Sequence, residues 1–260
     1  MVRGSYFTIV ASSGTGKTIK LSHEVVEFAK SYNERCLFIT DENSYEVILA
    51  YMHCNYLGLK YKDVEDRKIN LTAYINALSE NDKKEFDKVF SLIDVIELSG
   101  IPNDEVRKIL KRAKTHGNPY TLVAIDSFDE MNIGISTDEN TRYDLNAKSV
   151  ERIAKEFDCI VGVSAQLKTD YYEISVEKMP MMCNHQSKTL IKKARFVWLL
   201  QWEFKKNDED VENLGLRSRI LKSRSGGKDM IQIIDCKYDY CKMSGIGNAL
   251  NSVKKEDIGF

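Results

Sequence analysis

Eight consecutive residues, Ala11, Ser12, Ser13, Gly14, Thr15, Gly16, Lys17 and Thr18, have the types and spacing to hold a phosphate group. Small side chains let successive backbone N–H groups turn inward around phosphate oxygens. The lysine can reach the β- and γ-phosphates, and the threonine after it offers a hydroxyl to Mg2+. The octet fits the Walker A pattern, with Ala in place of Gly at its first position. Such a loop works between a strand and a helix, because the helix N-terminus adds partial positive charge. Both neighbours are present. Tyr6–Val10 is a short run of aromatic and β-branched residues, so a strand, and Ile19, Val25, Val26 and Phe28 recur at helical spacing over 17–31.

Acids and amides at other strand ends extend the chemistry. Ligands of open α/β sheets bind beyond the carboxyl ends of the strands. The run "YTLVAID" ends at Asp126, the place for a carboxylate that holds Mg2+ through water. The run "RCLFIT" is followed by Asp41 and Glu42, and a carboxylate there can orient an attacking water. "DENS" also reads as a helix-capping turn, and Asp129 and Glu130 compete for the water-activating role. Gln166 ends "VGVSAQ"; its amide can sense a γ-phosphate or can simply be a polar strand terminus.

Strands are expected at 6–10, 35–40, 93–99, 120–126, 159–166 and 195–203, with helices at 17–31, 44–58, 102–117 and 145–158. A charged, mostly helical stretch runs over 64–92 and an irregular polar one to Ala194. Strands alternating with helices predict an α/β fold with a mainly parallel sheet. "RSRILKSRSGGKDMIQIIDCKYD" adds a closing antiparallel hairpin, and 248–260 reads as a surface tail. We find no internal repeat, and with only 3 prolines and no Gly/Ser linker we read 1–260 as one domain. A formal net charge of −1 gives no overall attraction to nucleic acid, so any such contact needs a local patch. No apolar run approaches the roughly 20 residues of a membrane span, and the N-terminus is too weakly apolar for a secretory signal. Six cysteines without a CxxC pair, and four scattered histidines, point to reduced thiols in a cytoplasmic protein and to no zinc site.

These motifs, in this order, resemble the ATPase domain of DnaB-type replicative DNA helicases. "YFTIVASSGTGKT" resembles that family's first strand and Walker A. "LFITDENS" resembles the segment carrying its catalytic base, which falls on Glu42. "DEVRKILKRAKTHGNPYTLVAIDSFDEM" places the Walker B aspartate at Asp126, and "VERIAKEFDCIVGVSAQL" places the polar sensor at Gln166. "LKSRSGG" resembles its Lys-x-Arg-x-Gly turn, whose basic pair, here Lys222 and Arg224, reaches the neighbouring subunit's ATP. The likeness runs from about Gly4 to Tyr240.

The resemblance implies a RecA-like P-loop NTPase, with a mainly parallel sheet flanked by helices and a C-terminal antiparallel hairpin. It also implies Mg2+, ATP as substrate, a hexameric ring, single-stranded DNA, and a primase or loader as partner. Two departures stand out. The family carries an N-terminal domain and a linker helix, whereas this sequence begins directly at the first strand. The stretch matching the family's DNA loop, "MPMMCNHQSKTLIKKAR", has different chemistry: Lys188, Lys192, Lys193 and Arg195 can meet phosphates or equally form a solvated face, and Tyr171 and Tyr172, which can stack on bases, read first as a surface loop or core contact. A RecA-fold loader, recombination accessory or regulatory switch that does not unwind is the second reading. A small-metabolite kinase is the third; it needs an arginine-bearing lid, and the candidate arginines lie on the terminal hairpin instead.

Overall fold

The computed structural model describes residues 2–132, 138–183, 188–206, 211–224, 231–237 and 241–250. Its centre is a nine-stranded sheet. In chain order the strands are β1 (Ser5–Ala11), β2 (Cys36–Thr40), β3 (Ile93–Glu97), β4 (Leu122–Asp126), β5 (Ile160–Gln166), β6 (Phe196–Lys206), β7 (Val211–Ser223), β8 (Ile231–Lys237) and β9 (Lys242–Leu250). They lie side by side as β3-β2-β4-β5-β1-β6-β7-β8-β9. All pairings from β3 across to β6 are parallel, and those from β6 to β9 are antiparallel.

Helices cover both faces, which is why strands such as "LFIT" and "LVAI" are apolar throughout rather than alternating. On one face Ile19, Val25 and Val26 of α1 (Lys17–Tyr32) join Ile48 and Met52 of α2 (Tyr45–Leu57) against Phe7, Ile9 and Phe38. On the other face α6 (Asn103–Thr115) and α7 (Glu139–Phe157) lay Val106, Leu110, Val150 and Ile153 on Tyr6, Val10, Leu37 and Val123. Between β2 and β3 the chain makes α2 and the shorter helices α3 (Tyr61–Glu65), α4 (Leu71–Asn76) and α5 (Glu80–Phe90). Cys36, Cys54, Cys159 and Cys183 are free buried thiols. Among the described residues no helix is long and apolar enough to cross a membrane.

Gly162 is required by a close approach rather than by its backbone angles. It pairs with Phe7 across β1 and β5, and a Cβ there would stand 2.4 Å from the Phe7 ring. That ring is 1% exposed and meets Trp198 edge-on, so it has little room to move. Gly162→Ala is expected to lower stability by about 1–3 kcal/mol, read from the urea unfolding midpoint. An unchanged midpoint would show that the ring can retreat.

Three elements differ from the sequence expectation. Helix α7 starts at Glu139 rather than near Leu145, because Asp138 accepts the N–H of Thr141 at 3.0 Å and caps an extra turn. The stretch expected to be irregular holds a short helix, α8 (Lys188–Lys193), and two single 3-10 turns at Thr169–Tyr171 and Val176–Lys178. The tail expected from Asn248 begins inside β9, whose glycines hide the strand signal and whose backbone pairs with the open edge of β8.

Candidate functional site

The carboxyl ends of β1, β5, β4 and β2 lie next to one another, and each delivers one part of the site. After β1 comes the loop 11–18. Gly14 and Gly16 adopt φ of 73° and 97°, a left-handed region open mainly to glycine, and this curls the loop over the start of α1. Ser12 accepts the N–H of Thr15 at 3.3 Å, and the two hydroxyls meet at 2.6 Å. Gly16 caps this 16-residue helix with no side-chain hydrogen bond of its own, so the cap residue leaves the first N–H groups of α1 to other partners. Lys17 is buried and donates at 3.5 and 3.4 Å to the carbonyls of Ala11 and Ser12. Its charge therefore lies over the loop.

At the end of β4 the fully buried Asp126 accepts from Thr18 Oγ1 at 2.7 Å and from Ser164 Oγ at 2.6 Å. Burial pushes its carboxyl up, against those two hydrogen bonds and Lys17. The Asp126 carbonyl also accepts the N–H of Asp41 at 3.1 Å, tying the turn after β2 to this strand. In that turn Ser44, not the acids, caps α2, and Glu42 is exposed. The Glu42 charge acts on both Asp126 and Asp129, so the three carboxylates share one site with Lys17.

Gln166 ends β5 directly opposite Ala11. Its N–H donates to Asp129 Oδ2 at 2.9 Å and its amide to the Tyr172 hydroxyl at 2.8 Å. Neither contact is legible in the sequence. It shows Asp129 as an acid three residues past Asp126, but nothing of the partner.

Asp129 gives the site a pH dependence. Burial raises its carboxyl to about 7; Glu42 and Glu130 push the same way, while the Gln166 N–H and Lys17 oppose them. Unfolded, an Asp titrates near 3.9. Between about pH 4 and 7 the folded chain therefore holds more protons, and the penalty for ionising Asp129 grows as pH rises. Relative to Asp129→Asn, the wild-type chain without nucleotide is expected to lose stability across that window in urea titrations. Parallel pH profiles for the two would contradict this.

The remaining candidates lie elsewhere. Lys222 pairs with Val197 across β7 and β6, and Phe196 with Phe7 across β6 and β1. Through Val197, Lys222 is thus level with Thr8, three residues or about 10 Å back from the end of β1, and Arg224, two residues further along the chain, lies lower still, toward the amino ends of the parallel strands. Lys222 donates to the carbonyls of Ile191, at 2.8 Å, and Lys192, and Arg224 donates to that of Lys192 at 3.3 Å, all at the end of α8. Burial and the Arg224 charge lower the Lys222 amine to about 8. On α8, Lys188 and Lys192 are exposed one helical turn apart, while Lys193 is paired with Glu151. The Ser-Gly-Gly turn at 225–227 lies outside the described residues.

The family described as DnaB-like helicase C terminal domain matches residues 1–240. No curated protein matches significantly. A solved ATPase domain superposes with a TM-score of 0.74 at 14% identity, covering 95% of this chain and 86% of that one. A DnaB-like replicative helicase, solved in a study of its interactions with primase, gives the same score and identity, but this chain spans only 58% of it. A KaiC-like protein from Pyrococcus horikoshii OT3 follows at 0.60 and 14%, covering 94% and 90%. At that identity these structures establish the fold: a RecA-like domain, mostly parallel, with antiparallel strands added at one edge.

Proposed function

We propose that this chain, which belongs to the family of DnaB-like helicase C-terminal domains, is an ATP-hydrolysing motor that moves on single-stranded DNA as a ring. The observation that carries the reading is the convergence of the 11–18 loop, Thr18, Asp126, Glu42 and Gln166 at the carboxyl ends of the parallel strands, with Lys222 and Arg224 set back toward the amino ends. In this reading residues 11–18 bind the phosphates as a Walker A loop, and Lys17 leaves its two loop carbonyls for the β- and γ-phosphates.

The donor set fits Mg2+. The Thr18 hydroxyl and the Asp126 carboxylate are hard oxygens already 2.7 Å apart, and Mg2+ commonly takes one or two protein oxygens plus phosphates and water. Among the described residues no three His, Cys, Asp or Glu side chains form a metal cage of their own. When bound, the ion would neutralise charge developing between the β- and γ-phosphates. Glu42 takes the proton of the attacking water, and Gln166 contacts the γ-phosphate. Lys222 and Arg224, docked at the end of α8 rather than at their own loop, serve a neighbour's ATP across a subunit boundary in this reading. The α8 lysines 188, 192 and 193 supply the phosphate contacts to DNA, although Lys193 must first leave Glu151.

The single chain acts here as one domain in the cytoplasm, with a primase or loader as a further partner. The second reading is a RecA-fold switch or loader that binds nucleotide but does not unwind. What favours it is that Lys222 and Arg224 are already docked on α8 within their own chain. ATP hydrolysis with and without single-stranded DNA separates the two. The motor requires strong stimulation; nucleotide-dependent partner binding with no stimulation selects the switch.

A further inference from the structure

Gln166 is held at both ends by residues that the proposed reaction does not otherwise use. The Asp129 carboxylate takes its backbone N–H, and the Tyr172 hydroxyl takes one N–H of its amide. An amide has two N–H groups, so the second remains to be aimed. The final torsion of a glutamine is broad and roughly two-fold, and without a partner an amide at a half-buried strand end would sample both orientations.

The segment that carries Tyr172 is itself tied down. Its base is closed by the Lys168 N–H on the Cys183 carbonyl at 2.9 Å. From β6 the Gln201 amide donates to the carbonyls of Tyr172 and Ile174, both at 2.9 Å. From β7 Arg219 donates to those of Val176, Glu177 and Met179. Tyr171 packs against the core, whereas Tyr172 is 36% exposed. Ring burial therefore does not account for Tyr172, and its hydroxyl is the group that reaches back to the site.

We propose that Asp129 and Tyr172 are positioning residues for Gln166, so that the 168–183 segment sets the aim of the γ-phosphate sensor through the Tyr172 hydroxyl. The inference rests on the nucleotide-binding reading above.

The test is the affinity of the full chain for ATP and for ADP, measured by calorimetry with Mg2+. Tyr172→Phe keeps the ring and removes only the hydroxyl. It is expected to weaken ATP binding about three- to tenfold, the loss of one neutral hydrogen bond, with ADP affinity unchanged. In a Gln166→Ala background the same substitution should have no further effect. Asp129→Leu should show the same loss of ATP preference, and Asp129→Asn, whose amide oxygen still accepts the Gln166 N–H, should restore it. Unchanged ATP preference in Tyr172→Phe, or an equal effect with and without Gln166, would overturn the inference while leaving nucleotide binding intact. A wild-type chain that binds neither nucleotide would overturn both readings together.

Discussion

Glu42→Gln is expected to reduce the rate of ATP hydrolysis by about 10²–10⁴-fold, the usual worth of a positioned general base, with ATP affinity nearly unchanged. The side chain keeps its length and shape but can no longer accept a proton. Glu42 suits the role because it is exposed on a turn that the Asp41 N–H fixes to the end of β4. Its rival Asp129 is half-buried and already engaged by the Gln166 N–H. Single-turnover hydrolysis and equilibrium binding on the same variant check this. Loss of binding in step with turnover would make Glu42 a ligand-holding residue. Full turnover in Glu42→Gln, with loss in Asp129→Asn, would move the base to Asp129.

The second large effect belongs to the basic pair. Arg224→Ala is expected to lower hydrolysis by about 10³-fold or more, because a guanidinium brought to a loose phosphoryl transition state is worth that much. The register of β6 and β7 carries Arg224 toward the amino ends of the parallel strands, away from the end that bears its own loop, so under the proposed ring the loss is expected at the neighbour's site. Mixing gives the decisive form of the experiment. Arg224→Ala chains keep an intact loop, and Lys17→Ala chains keep an intact Arg224. Each alone should be inactive, and the mixture should recover activity at interfaces that join one of each. Co-assembled but inactive mixtures would show that the pair does not act across a boundary.

Much of this site can be read from residue order because its parts are local. A loop needs its glycines in sequence, and strands covered on both faces announce themselves as unbroken apolar runs ending in Asp126 or Gln166. The capping turn at 41–44 is open in the sequence; the structure gives the cap to Ser44, and with Ser44 holding the helix Glu42 faces the acid cluster. What sequence could not carry is contact between distant segments. Asp129 with the Gln166 backbone, and Lys222 with the end of α8, are each set by packing across the sheet. The same holds for β9, whose pairing depends on an open edge at β8 rather than on its own glycine-bearing residues.

The most direct measurement is ATP hydrolysis over a range of protein concentrations, with and without single-stranded DNA, while light scattering records particle mass in the same samples. The account predicts that turnover rises with assembly to a ring-sized particle and is strongly stimulated by DNA. Unstimulated turnover by a monomer, at a rate independent of concentration, would contradict it, because a site completed by a neighbour's Lys222 and Arg224 cannot work alone.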